Sequence, residues 1–510
     1  MDNSRTNKFI KNVVGSAILQ IVTIVTGFIS PILMLHAFGS EINGITMSIL
    51  RFISYISLVE AGLGSATTFA LYKPLADGNN LERDAIISAT KISYYRIGYI
   101  FIALSILLAI IYPFIGKTNL LSSFELSLLV LVLCLSGVMN FFILAKYRSI
   151  LSADQCGYII SFASSAQLIC SIILVYITIK LGCNVIVVRA VAVCSMFITT
   201  IILKIAVHLR YKDIDYNAKP NMKALSRRYD AMVNQILGVI TYGAPVIILT
   251  SMSNFKELSV YAVYGMIAGS LTTCLNVFTS GLSASFGNVY ASESEERTKD
   301  LVGEFMTAFF LILTILFTTA VITIVPFVDI YTKGITDTNY HLPLFGFLIV
   351  FAGLIEDMRI PQGMLVQSFG KFKEIKRYSL IQALLAVTTS IFLIKLWGLN
   401  GAMIALCITH LYMLIAYIKL GKEHLAKLSV GHNLTQLVAV LTIFLGMYFC
   451  CESHPYIPTN YLNWCFYTII VFVIVSILSF IVFYLIDRQN IIRLKNRFSK
   501  KFINRGVEYK

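Results

Sequence analysis

The chain has 510 residues, of which 57% are hydrophobic and only 13% charged, and its formal net charge is +15. A soluble protein of this length cannot bury so much apolar side chain, so the composition excludes a soluble enzyme or binding module and demands an all-α polytopic membrane protein. Such a positive balance in a soluble chain would suggest nucleic acid; here the placement of the charges excludes it.

About fourteen apolar segments of spanning length follow one another, at roughly 12–37, 46–72, 94–115, 126–147, 157–179, 184–206, 230–252, 258–284, 302–326, 343–367, 378–396, 400–419, 433–451 and 463–486. Each is read as a helix, because a helix satisfies its own backbone in lipid. The first is too long for a cleaved signal and lacks a small-residue cleavage site. With the N-terminus in the cytoplasm, 33 of the 41 lysines and arginines fall in cytoplasmic pieces, 5 in outer loops, and 3 (Arg51, Arg189 and Arg359) within helices. That bias sets the orientation and predicts that both termini are cytoplasmic. It also turns the net charge towards anionic membrane lipids rather than nucleic acid. Trp397 and Trp464 fall near predicted outer helix ends, where aromatic belts sit.

The second helix carries Glu60-Ala61-Gly62-Leu63-Gly64-Ser65-Ala66. A carboxylate near the middle of an apolar run costs roughly 2.5–3.5 kcal/mol on insertion scales, so it needs a reason to be there. On a continuous helix Ser57, Glu60, Gly64 and Thr67 share one face, which predicts a polar stripe lining a cavity or a helix–helix contact. Arg51 lies about 13.5 Å away along that helix, on the opposite side. It either lines the outer cavity or snorkels to the headgroups.

The connection 207–229 is basic and follows helix six, so it reads as a cytoplasmic linker between two six-helix lobes, 1–206 and 230–420. Three weak matches at nearly one offset support a duplication: Ser30-Pro31-Ile32-Leu33 with Ala244-Pro245-Val246-Ile247, Gly62 to Ala66 with Gly281 to Ser285, and Gly157-Tyr158 with Gly370-Lys371-Phe372. An even number of helices per copy makes this a parallel repeat, with a pseudo-two-fold axis along the membrane normal. Asp213-Ile214-Asp215 in the linker mimics a glycosyltransferase metal motif, but no nucleotide-binding domain surrounds it. Helix ten holds Glu356, Asp357, Arg359, Pro361 and Gln362. Glu356 and Arg359 are spaced to neutralise each other, and Pro361 is expected to break the helix. The group reads either as a substrate-facing segment or as a structural ion pair between helices.

Helices thirteen and fourteen (421–486) are an appendage. The basic tail 487–510 places Ile491, Leu494, Phe498 and Phe502 on one helical face, the pattern of an interfacial helix on anionic lipid. The ten cysteines form no CxxC or Cys/His cluster and are read as packing residues. No HExxH, Walker A or GxSxG motif occurs, so no enzyme activity, metal or cofactor is expected, and active transport would draw on a gradient.

Three stretches of the first half, Phe38-Gly39-Ser40-Glu41-Ile42-Asn43-Gly44, Ser57 to Ala66 and Leu71-Tyr72-Lys73-Pro74-Leu75, carry a family likeness. Arg359-Ile360-Pro361, Gly370-Lys371-Phe372-Lys373-Glu374 and Gly398-Leu399-Asn400-Gly401-Ala402 extend it through the second half. The chain resembles bacterial polysaccharide-unit flippases of the Wzx kind, in the MOP superfamily that also holds MATE drug exporters and the lipid II flippase. The resemblance implies a two-lobed, V-shaped transporter of the bacterial plasma (inner) membrane. Its cargo would be undecaprenyl-pyrophosphate-linked oligosaccharide, an O-antigen, capsule or teichuronic-like repeat unit, moved to the outer leaflet by alternating access. On that reading Arg51 and Arg359 attract pyrophosphate, while Ser57, Thr67 and Gln362 bind sugars, with Glu60, Gly64 and Glu356 in the same cavity. Polymerase and chain-length machinery are the implied partners, and proton or sodium coupling is open. Two alternatives stand beside it: an ion-coupled multidrug exporter of the same superfamily, and a membrane glycosyltransferase or polymerase. Helix one lacks an acid, unlike many drug exporters. The enzyme alternative expects a sizeable outer loop, and the predicted outer loops are short.

Overall fold

The computed structural model describes residues 3–507 apart from 117, 212–213, 226–227, 253, 281–294, 369–371, 425–429 and 454–455. The second copies of two repeat matches, Gly281 to Ser285 and Gly370-Lys371, therefore lie outside the described residues. All regular structure among the described residues is helical.

The first part of the chain forms α1 (Asn3–Ile56), a 3₁₀ turn (Ser57–Glu60), α2 (Leu63–Ala76), α3 (Asn80–Ile115), α4 (Ser123–Met139), a π-helical turn (Asn140–Leu144), α5 (Ala145–Ala153), α6 (Gly157–Lys180), α7 (Val185–Cys194), α8 (Met196–Arg210) and α9 (Arg228–Met252). The remainder forms α10 (Phe255–Ser280), α11 (Glu295–Tyr331), α12 (Pro343–Met358), α13 (Ile360–Ser368), α14 (Phe372–His424), α15 (Val430–Glu452), α16 (Tyr461–Ile486) and α17 (Arg488–Val507).

Eleven helical stretches among the described residues are long and apolar enough to cross a membrane. Two of them contain a break and hold two expected crossings each. Within α1 the break is Gly39, at φ 78° and ψ 176°. Within α14 it is Trp397-Gly398, with Gly398 at φ 52°. The tenth expected crossing is split into α12 and α13 at Arg359. Each of the fourteen expected crossings thus has a helical counterpart, and the chain is an all-α multi-pass membrane protein.

Packing divides the chain into two compact units, Met1–Ala262 with Gly334–Thr338, and Val263–Lys333 with Asn339–Lys510. In the first, α1 runs along α6, and α3 along α4. A buried cluster including Leu71, Ile86, Leu144, Ile150, Leu151 and Leu203 holds its core. Described residues of the connection between α8 and α9 pack on the first unit. Ile214, Tyr216 and Ala224 pack on that core, and the Asp215 N–H donates to Asp84 (3.2 Å) and the Asn221 N–H to the Ala85 carbonyl (3.1 Å).

One end of this unit is tied by Asp154, in the turn between α5 and α6. Its carboxylate accepts hydrogen bonds from Lys8 Nζ (2.9 Å), Arg210 Nε (2.6 Å) and Tyr211 Oη (2.6 Å), joining α1, α6 and α8. Burial pushes its carboxyl upward, but these donors and the Arg210 charge outweigh that and hold it at about 2. At the Gly39 break, Asp337 serves as an N-cap supplied from elsewhere in the chain. It accepts from the Ser40 N–H (2.8 Å) and Ser40 Oγ (2.7 Å).

In the second unit α11 is the central helix, packed by α12, α15 and α16. Phe309, Phe310, Phe317, Phe345 and Phe444 fill its core. The tail is helical as expected, but protein contacts hold its first turns as well. Arg493 pairs with Asp300 (2.6 Å) and Arg497 with Glu304 (3.1 Å), both on α11. Just before the tail, buried Asp487 accepts from Gln436 and Asn490, each at 3.0 Å, and from Thr307. Ile491 is buried. The side chains of Phe498 and Phe502 lie outside the described residues. All ten cysteines are free.

Candidate functional site

The expected continuous second helix is interrupted at the acid. After the 3₁₀ turn Ser57–Glu60, Ala61 is extended (φ −47°, ψ 128°) and Gly62 left-handed (φ 79°), and α2 begins at Leu63. Glycine is the residue that takes such a φ at little cost, so the chain can leave the helix here without strain. The Gly62 N–H, left without a helical acceptor, donates to Gln235 Oε1 on α9 (3.0 Å).

The break opens a pocket of about 290 Å³ lined by Ser54, Ser57, Glu60, Gly62, Gly64, Ser65 and Gln235, with Leu58 and Ala61 its apolar members. Glu60 Oε1 accepts from Tyr94 Oη on α3 (2.9 Å), and Oε2 from Asn140 Nδ2 (3.4 Å). Asn140 opens the π-helical turn and also accepts from Arg148 on α5 (3.1 Å). The wider turn carries one extra residue and re-aims the side chains beyond it, a frequent device at functional positions. Arg148 is also near enough to act on Glu60 through its charge.

Of the five positions read from the sequence here, the structure brings Ser57, Glu60 and Gly64 together around the pocket. Thr67 lies apart from them, fully buried and accepting a hydrogen bond from Thr90 on α3 (3.3 Å), which is the helix–helix contact of the two readings. The stripe assumed unbroken helical steps from Ser57 to Thr67, and the break at 57–62 removes that register. Arg51 is half-buried on α1 and is not among the pocket residues. By sequence Arg148 counts as a cytoplasmic charge, because the fourth apolar run ends near 147. The helix in fact continues to Ala153, and buried neighbours Tyr147, Ser149 and Ile150 enclose that turn. Tyr94, Asn140 and Arg148 carry no sequence motif. A hint was available only in the polar Asn140 inside an apolar run.

The second unit holds a different cluster at the α12–α13 break. Arg359 is the junction residue (φ −85°, ψ −11°), and Pro361 follows it in the first turn of α13, as its missing N–H predicts. Glu356 sits between two bases: its Oε1 is 3.7 Å from Arg359 Nη2, and its Oε2 is 3.7 Å from His410 Nε2 on α14. The Arg359 guanidinium also lies 5.9 Å from the Tyr417 ring centroid. Neighbouring Asp357 turns the other way and accepts from Thr272 on α10 (2.9 Å). The expected Glu356–Arg359 pairing is thus present, with His410 and Tyr417 as members that spacing could not reveal. Gln362 is buried, with only 3% of its surface exposed. Among the described residues no group of His, Cys, Asp and Glu could hold a metal ion.

No family model and no curated protein matches the chain. Among solved structures it is similar to the lipid II flippase MurJ in an inward closed conformation, with a TM-score of 0.66, 13% identity, and coverage of 93% of this chain and 99% of that one. A MOP superfamily transporter from Pyrococcus furiosus aligns with a TM-score of 0.61 at 15% identity, over 82% of this chain and 96% of that one. A MATE structure in the bent conformation gives 0.58 at 14%, over 83% and 96%. The architecture is therefore that of an all-α, multi-pass membrane protein. More particularly, its fold is the one seen in these solved structures.

Proposed function

We propose that this protein is a flippase of the Wzx kind, carrying undecaprenyl-pyrophosphate-linked oligosaccharide repeat units from the cytoplasmic to the outer leaflet of a bacterial plasma membrane. The observation that carries this reading is the pair of interrupted membrane helices, each with charged and polar side chains at the break, in a chain that aligns over nearly its whole length with a lipid-linked flippase. An undecaprenyl-linked saccharide has a large polar headgroup and a polyprenyl tail that can stay in the bilayer. Polar groups at broken helices inside apolar spans suit the former. Arg359 supplies the cation for pyrophosphate, with a planar fork that matches phosphate oxygens. The two lobes 1–206 and 230–420, joined at 207–229, would rock about the cavity, with both termini cytoplasmic and helices 421–486 as an appendage. Polymerase and chain-length machinery would receive the product, and a proton or sodium gradient is the energy source open to such a cycle.

The test is deletion in the native host followed by two assays. The expected result is loss of outer-leaflet glycolipid and surface polysaccharide with drug tolerance unchanged. Collapse of drug tolerance with normal polysaccharide would instead establish the multidrug-exporter alternative.

A further inference from the structure

The pocket at the Glu60 break has a hydrogen-bonding polarity that identifies what enters it. Its three serines have already spent their protons on the backbone. Ser54 Oγ donates to the Arg51 carbonyl (2.6 Å), Ser57 Oγ to the Ile53 carbonyl (2.9 Å) and Ser65 Oγ to the Gly62 carbonyl (3.1 Å). Each therefore turns lone pairs, not a proton, towards the pocket. Glu60 accepts from Tyr94 and Asn140 and still has lone-pair capacity, since a carboxylate offers about four acceptor positions. Gln235 uses its oxygen on Gly62, which leaves its NH₂ as the side-chain donor among the lining residues. The lining is acceptor-rich, and its charged member is an acid.

From this we infer that the pocket is a saccharide subsite: it takes the hydroxyl donors of a single sugar ring and rejects phosphate. The inference rests on the flippase reading and deepens it by separating the sugar from the pyrophosphate. A phosphate brings only acceptors and negative charge, so it would face Glu60 and the serine lone pairs unpaired. A sugar brings donors in adjacent pairs, which a carboxylate can accept with both oxygens. The volume, about 290 Å³, corresponds to roughly ten waters at ~30 Å³ each. That is room for a sugar ring, and too much for a bare cation, which needs oxygens on every side at about 2.3–2.6 Å. An organic cation would call for aromatic faces and apolar walls, whereas Leu58 and Ala61 are the apolar members among the described lining residues.

The experiment uses the full chain in lipid nanodiscs and saturation-transfer NMR with methyl β-glucopyranoside and N-acetylglucosamine. Inorganic pyrophosphate, sodium and benzyltrimethylammonium serve as competitors. Saturable glycoside binding is expected, undisturbed by any competitor. Glu60→Gln should raise the half-saturating concentration roughly tenfold, the loss of one charge-assisted hydrogen bond. Gly64→Val should weaken binding further, because a Cβ there meets Tyr94 Oη at 3.3 Å and Glu60 Oε1 at 3.9 Å, so the side chain crowds the acid and its donor. Unchanged thermal unfolding of Glu60→Gln certifies that the fold is intact. Absence of glycoside binding to the unsubstituted protein, binding indifferent to Glu60→Gln, or displacement by pyrophosphate or the ammonium probe each overturns the assignment. A parallel vesicle assay with a lipid-linked saccharide separates the two readings. Glycoside binding without translocation removes the flippase and leaves the subsite; translocation without glycoside binding does the reverse.

Discussion

The two interrupted helices place an acid in an apolar span by opposite means. At Ser57–Gly62 the break is made by a left-handed glycine, and Glu60 is satisfied by a tyrosine hydroxyl and an asparagine amide, with Arg148 one step removed. At Arg359 the break is made before a proline, and Glu356 faces Arg359 and His410 directly. Neutral donors orient a carboxylate while leaving acceptor capacity for a ligand. The Arg359 guanidinium offsets the charge itself, so a ligand anion must compete with the carboxylate for Arg359. The first arrangement suits donors such as sugar hydroxyls; the second suits an anion that can take the guanidinium.

The largest expected effect comes from inverting the second arrangement. Arg359→Glu would set a third acid beside Glu356 and Asp357 and remove the guanidinium that faces Glu356. The cost should fall short of the ~3–5 kcal/mol of breaking a fully buried pair, because the Arg359 and Glu356 side chains keep 19% and 22% of their exposure. Outer-leaflet glycolipid, normalised to folded protein, should drop to background. Wild-type output from this variant would show that pairing at the break is dispensable.

Next in size is Arg148→Met, which removes the cation behind Asn140 and should destabilise the first unit by roughly 1–3 kcal/mol. Thermal unfolding in detergent measures it, and Arg148→Lys should recover part of the loss. If both variants melt like the wild type, Glu60 does not depend on Arg148, and the contrast with Glu356 becomes sharper still.

Asp154→Asn probes an ion pair outside both breaks. Because its folded carboxyl is held at about 2, below the ordinary value, its contribution is fully present above about pH 4 and is lost as pH falls through 2. The variant should be less stable by about 1 kcal/mol after screening, by a constant amount from pH 5 to 8. The two unfolding curves should converge under acid; a difference that grows between pH 8 and 5 would contradict the assignment. Smallest is Asp337→Ala, which removes the cap of the second arm of α1 and should cost ~1 kcal/mol. Faster hydrogen exchange at the Ser40 amide is the readout, with exchange near Arg359 unchanged.

Much of the architecture was legible from residue order alone. Fourteen apolar runs predicted fourteen crossings, and Pro361 marked the α12–α13 break because a missing N–H acts on its own helix. Glu356 and Arg359 could be paired for the same reason: three residues apart on one helix, they meet whatever surrounds them. Glu60 was visible because an acid in an apolar run is costly in any fold. The Gly62 break was not legible, since glycine is compatible with both a helix and a left-handed turn, and contacts from α9 decide between them.

What the sequence by itself determined was therefore whatever depends on local covalent geometry and on transfer between water and lipid. That covers the helical class, the succession of apolar spans and the presence of costly charges. Only the tertiary structure decided which partners those charges meet. Tyr94 and Asn140 reach Glu60 from other helical segments, with Arg148 behind Asn140, and His410 reaches Glu356 from α14, 54 positions along the chain. Hydrogen bonds and ion pairs act over about 3–4 Å of space and are indifferent to separation along the chain. The same physics seats Thr67 against Thr90 of α3, whereas the three serines of the pocket bond carbonyls only three or four residues back, a local choice that the chain makes for itself.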